Sequence, residues 1–148
     1  MKVALVHDWL VTMRGGEKVA ECLLELFPRA DLFTLVARPE KLANTFRNRE
    51  IRTTSLQRIP FGKTRYRWFL PAFDHFMSGF DLSSYDLIIS SSAACAKWVR
   101  NPRKVPHVCY CHTPMRYIWD LFDDYFGNAF PPVRFMAKAF RRRLQGLG

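Results

Sequence analysis

Between Tyr110 and Asp120 the chain reads Tyr-Cys-His-Thr-Pro-Met-Arg-Tyr-Ile-Trp-Asp, its densest run of side chains able to do chemistry. The run follows an apolar segment, His107 to Cys111, that reads as a buried strand, so His112 falls where that strand ends. An imidazole in such a place can donate a hydrogen bond to a sugar hydroxyl or a phosphate. Arg116 can fork onto phosphate oxygens with its planar guanidinium, and Tyr117 and Trp119 offer flat faces to a sugar or a lipid. A lone histidine there more often only ends a strand, and aromatics more often fill a core. The company of Arg116 and Asp120 puts the functional reading on an equal footing with that plain one.

A second candidate lies at the start. Lys2-Val-Ala-Leu-Val-His7 is strand-like, and after the loop Asp8 to Arg14 the pair Gly15-Gly16 leads through Glu17 into a helical pattern. A glycine turn at a helix N-terminus aims unpaired N–H groups and the positive end of the helix dipole at one point, which suits a phosphate. The pair is not the three-glycine dinucleotide fingerprint. The competing reading is an ordinary strand-to-helix turn in which one glycine supplies a positive φ, and on spacing alone that reading leads.

Elements must bring these segments together. Val19, Ala20, Leu23, Leu24 and Phe27 mark one face of a helix over 16–27, ended by Pro28. Asp31 to Ala37 reads as a second strand, Pro39 opens a short helix through Phe46, and Ile51 to Thr54 is a third strand. Over 63–80 the residues Tyr66, Phe69, Leu70, Phe73, Phe76, Met77 and Phe80 give a helix one aromatic face, which Pro71 should kink or divide. Asp86 to Ser90 is a buried strand and Ser91 to Val99 a serine-capped short helix. Strands that are nearly all apolar and alternate with helices predict an α/β, Rossmann-like parallel sheet with helices on both faces. In such a sheet Gly15-Gly16, Ser90 to Ser92 and His112 to Arg116 would meet in a crevice beyond the strand ends.

The 148 residues are 49% hydrophobic, enough for the core of one domain over 1–148. No leader and no membrane-spanning run is evident, so a cytoplasmic protein is expected, peripheral at most on the inner face of the cell membrane. Cys22, Cys95, Cys109 and Cys111 read as reduced thiols. Cys109, Cys111 and His107 share one strand face, but without a second ligand pair at metal spacing they read as small buried side chains, and no metal is expected. The net charge of +10 calls for an anionic partner. Arg47, Arg49, Arg52, Arg58, Lys63, Arg65 and Arg67 stand against the single acid Glu50. Beside the aromatic helix, Arg58, Lys63, Arg65, Arg67 and the off-stripe Trp68 suit an anionic membrane surface, while the stripe itself packs on the sheet. Pro131-Pro132 opens a second basic helix, Val133 to Gln145.

In order along the chain, Val6-His-Asp-Trp, Arg14-Gly-Gly-Glu-Lys18, the Asp86 to Ser92 strand with its serines, and His112-Thr-Pro followed by Arg116, Tyr117 and Trp119 resemble the N-terminal half of a family 4 retaining glycosyltransferase of the two-domain GT-B type. The resemblance spans essentially the whole chain. It implies metal-independent transfer of a sugar from a nucleotide-diphosphate sugar to a saccharide or lipid-linked acceptor, with retention and without a cofactor. By position, Gly15 and Gly16 would approach the donor diphosphate, His112 would act catalytically at the transferred sugar, and Arg116, Tyr117, Trp119 and Asp120 would border the acceptor. The family's C-terminal donor domain, with its paired glutamates, has no counterpart in these residues, so turnover by this chain alone is not expected. A non-catalytic membrane-docking or partner-binding module is the main alternative. A nucleic-acid binder is disfavoured because no recognition motif accompanies the charge, and an epimerase by the basic, aromatic surface.

Overall fold

The computed structural model describes residues 1–113 together with Pro131, Pro132, Phe135, Lys138, Ala139 and Arg142, the last six being helical. The readings of Arg116, Tyr117, Trp119 and Asp120 lie outside the described residues.

Five parallel strands form one sheet: β1 (Val3–His7), β2 (Asp31–Thr34), β3 (Ile51–Thr53), β4 (Leu87–Ser92) and β5 (His107–Cys111), in the order β3-β2-β1-β4-β5. All of β1 is buried, and Val6 lies opposite Phe33 on one side and Ser90 on the other. Alternate residues of a strand face opposite sides, so β1 feeds two cores. Val3 and Leu5 pack with Ala20 and Leu24 of α1 (Gly15–Leu26) and with Phe46 of α2 (Asn44–Arg47). Ala4 and Val6 pack with Leu70, Phe73, Met77 and Tyr85. The expected Rossmann-like α/β architecture, a parallel sheet covered on both faces, is therefore present. The chain steps outward from β1 to β3 and then returns across to β4. That reversal opens a crevice beyond the carboxyl ends of β1 and β4.

The segment expected as one aromatic helix over 63–80 is divided into a 3-10 helix, Tyr66–Ala72, and α3 (Phe73–Ser78). Pro71 explains the break, because it has no N–H and its ring clashes with the carbonyl one turn earlier. Tyr66, Leu70, Phe73 and Met77 are buried and Phe69, Phe76 and Phe80 pack against them, so the stripe is core. The stretch from Pro39 to Phe46 forms a 3-10 turn, Pro39–Lys41, and then α2, rather than one helix.

Three strands differ from expectation, β2 ending at Thr34 rather than Ala37. β4 runs on through Ser92, and the helix expected from Ser91 shrinks to a 3-10 turn, Ala96–Trp98, because the serines find partners within the sheet. β5 is not buried: it is the last strand in the order, with His107 half-buried and Val108 to Cys111 exposed. Cys109 and Cys111 are thus exposed free thiols rather than core residues, as is Cys22, and only Cys95 is buried. Among the described residues no group of three His, Cys, Asp or Glu is placed to hold a metal, and no helix is long and apolar enough to cross a membrane.

Candidate functional site

At the carboxyl end of β1 the strand delivers His7 and Asp8 to opposite faces of the sheet. The Asp8 carboxylate is buried and accepts five hydrogen bonds. Oδ2 takes the N–H groups of Ala93 (2.6 Å) and Ala94 (2.8 Å), and Oδ1 takes those of Cys95 (2.8 Å) and Ala96 (2.7 Å) and the Ser92 hydroxyl (3.1 Å). Four successive N–H groups curled round one anion are the kind of backbone nest that binds phosphate elsewhere. Here the protein's own carboxylate fills it and fastens the turn after β4 to the end of β1. Burial and the nearby Asp8 push the Cys95 thiol well up, so Cys95 is no nucleophile.

On the other face His7 Nδ1 lies 3.1 Å from Ser91 Oγ, which lies 2.7 Å from His112 Nε2. Burial lowers the pKa of His7 to about 4, a larger effect than the opposing pull of Asp8, so the ring is neutral near pH 7. Ser90 holds His107 Nε2 at 2.9 Å in the same manner. The three serines of β4 thus each bind a side chain from a neighbouring strand end: His107, the His7 and His112 pair, and Asp8.

The first turn of α1 closes the third side. Neither Gly15 nor Gly16 has a positive φ, so the turn-glycine reading does not hold. What Gly16 provides is proximity: a Cβ there would stand 3.5 Å from His7 Cε1 and 3.9 Å from His112 Nε2, while Gly15 faces open space. The Arg14 N–H donates to Glu17 Oε2 at 3.1 Å. Glu17 is buried, and that burial raises its pKa above the ordinary carboxylate value.

His7, Asp8, Trp9, Arg14, Gly15, Gly16, Glu17, Arg67, Ala93, His112 and Thr113 line an open cleft of about 370 Å³. The convergence of Gly15-Gly16, the serines of β4 and His112 is as the sequence led one to expect. Arg67, expected on a membrane-facing surface, lines the cleft from the first turn of the Tyr66–Ala72 helix. His7, Asp8, Arg14 and Glu17 entered the sequence reading only inside the motifs Val6 to Trp9 and Arg14 to Lys18, with no role of their own. The dipeptide His7-Asp8 at the end of an apolar strand was the available signal.

Beside the cleft, the segment from Arg58 into the first turn of the Tyr66–Ala72 helix carries exposed Arg58, Ile59, Lys63, Arg65, Arg67 and Trp68, Trp68 being 60% exposed. Phe61 at its tip is 68% exposed and has a φ of 62°. The Arg65 guanidinium sits 4.3 Å from the Trp68 ring centre and 5.6 Å from that of Phe61.

Fold and site together define a parallel α/β domain with an open cleft at its topological switch point, lined by Arg14, Arg67, His7, His112, Asp8 and Glu17. Comparison with protein-family models, curated proteins and solved structures finds no match to this chain.

Proposed function

We propose that this chain is the acceptor-side domain of a retaining glycosyltransferase, which moves a sugar from a nucleotide-diphosphate sugar to a saccharide or lipid-linked acceptor with a second domain holding most of the donor. The observation that carries this reading is the convergence at one cleft of the α1 N-terminus, Arg14, Arg67 and His112. A diphosphate leaving group gains negative charge as its bond to the anomeric carbon breaks. Free N–H groups at Gly15 and Gly16 and two guanidinium groups are suited to meet that charge. His112, fixed through Nε2, would keep Nδ1 for a hydroxyl of the transferred sugar. The residues expected to border the acceptor, Arg116, Tyr117, Trp119 and Asp120, follow His112 in the chain.

An anionic membrane surface is part of the same reading. Phe61 and Trp68 offer apolar insertion and Arg58, Lys63, Arg65 and Arg67 offer charge, each cation near the surface contributing on the order of 1 kcal/mol. The exposure of these side chains also supports the second reading, a docking module without catalysis. Amide-resolved NMR titration of the chain with pyrophosphate and with nucleotide-diphosphate sugars separates the two. Shifts confined to Gly15, Gly16, Glu17 and His112, and weakened in Arg14→Ala, support the transferase reading. Flotation with anionic vesicles and no such shifts supports the docking module.

A further inference from the structure

The Ser91 hydroxyl has one proton to donate and two imidazole nitrogens beside it. If His112 Nε2 carries a hydrogen, that N–H donates to Ser91 Oγ, and the Ser91 O–H then donates to His7 Nδ1. His7, neutral and so bearing one N–H, must then carry it on Nε2. If His112 Nε2 is bare, the Ser91 O–H donates to it, Ser91 Oγ accepts from His7 Nδ1–H, and His7 Nε2 becomes the acceptor. A charged His112 has hydrogens on both nitrogens and permits only the first arrangement.

We propose that His7 and Ser91 are positioning residues for His112, forming a relay in which the proton state of His112 Nε2 sets the tautomer of His7. No net proton crosses the serine's position: the hydroxyl turns, and one proton moves from one nitrogen of His7 to the other by exchange with solvent. The consequence is local. The atoms of His7 nearest Gly16 are Cε1 and Nε2, so the relay decides whether the floor of the cleft offers an N–H or a lone pair beside the first turn of α1. A donor there accompanies a charged His112, when an anionic ligand is best held. An acceptor accompanies a bare Nε2.

Several groups surround the relay. Arg14 and Glu17 face it from α1, Arg67 from the Tyr66–Ala72 helix, and Asp8 from the end of β1. The Tyr110 ring lies 4.9 Å from that of His112 on β5. Glu17 Oε2 accepts from the Arg14 N–H and Asp8 is satisfied by five donors, so Ser91 is the hydrogen-bonded link between the two rings, which also pack edge to face with centroids 6.4 Å apart.

A part of this inference, that the relay serves sugar transfer, rests on the function proposed above; the relay itself is tested without ligand. Histidine ring ¹⁵N NMR on the intact chain, swept from about pH 8 to about pH 5 where histidines change charge, reads both tautomer and charge. In the wild type His7 carries its hydrogen on Nε2 wherever His112 Nε2 is protonated and on Nδ1 wherever His112 Nε2 is bare, His7 itself staying neutral. Ser91→Ala abolishes that coupling at His7 and Ser91→Thr, which keeps the hydroxyl, restores it. A wild-type His7 with its hydrogen on Nδ1 while His112 Nε2 is protonated, or on Nε2 while His112 Nε2 is bare, overturns the relay, as does a coupling that survives in Ser91→Ala. The wild-type sweep decides the matter by itself if neither variant folds. Failure of the relay would leave pyrophosphate binding at Gly15 and Gly16 intact, so it is distinguishable from failure of the transferase reading.

Discussion

A single carboxylate ties the two strands of the switch point together. Asp8→Ala would leave four buried N–H groups without an acceptor and should cost about 4 kcal/mol in denaturant unfolding. Asp8→Asn should cost nearly as much, because its amide offers one acceptor oxygen and turns two further donors toward a site made of donors. An asparagine variant as stable as wild type would contradict this. His7 makes the opposite electrostatic point. Its pKa lies at about 4 when folded and near 6.5 when unfolded, so between these values the unfolded chain binds more protons. Stability should therefore fall as pH drops from 6.5 toward 4, by on the order of 3 kcal/mol in total. In urea midpoints measured across that window, His7→Asn should show a shallower fall than wild type, and equal slopes would contradict the assignment. Gly16→Ala completes the scale. Its methyl fits at ordinary contact distance, so stability should stay level or rise by up to about 1 kcal/mol. Pyrophosphate binding should weaken about tenfold, since the methyl fills the space between the helix N–H groups and the two imidazoles.

At the scale of elements, much was legible because local pattern and tertiary role agree. The run Val3 to Val6 is apolar throughout because β1 is central and buried on both faces, and α1 shows its stripe because only one side meets the sheet. The end of β4 was not legible. Three adjacent serines look like a helix cap until one sees partners 84, 21 and 17 residues away in His7, His112 and His107, and Asp8, 84 residues from Ser92. Nothing local announces such pairings. The aromatic segment was legible as a face but not as a helix, since periodicity reports which residues are buried and Pro71 decides how the backbone gets there. The basic loop holds a further element-scale test. A Cβ at Gly62 would lie 2.0 Å from the Leu56 carbonyl oxygen, so Gly62→Ala should disrupt the turn. Phe61 holds a left-handed φ that suits glycine far better, at a cost of about 1 kcal/mol. Phe61→Gly should therefore leave thermal stability equal or higher while lowering capture by anionic vesicles severalfold. Undiminished flotation would remove Phe61 from the membrane surface.

At the scale of the molecule, the cleft with His112 and the basic segment over 58–68 form one neighbourhood through Arg67. A donor diphosphate over the first turn of α1 and a bilayer against Phe61 and Trp68 would share the cation Arg67, which lines the cleft and belongs to that segment. This arrangement would bring a lipid-linked acceptor to the cleft without a long diffusive search. The candidate site was legible in part: His112 and Gly15-Gly16 stood out as residue types at strand and helix ends, whereas Asp8, Ser91 and Glu17 act through contacts that only the assembled sheet creates. The most direct test is transfer itself, by the complete protein in which this chain occurs, given a panel of labelled nucleotide-diphosphate sugars and membrane extract. The expected result is label moved to an extractable acceptor with retained anomeric configuration, and loss of that transfer in His112→Ala with vesicle binding intact. No transfer from any donor, or transfer indifferent to His112, would contradict it.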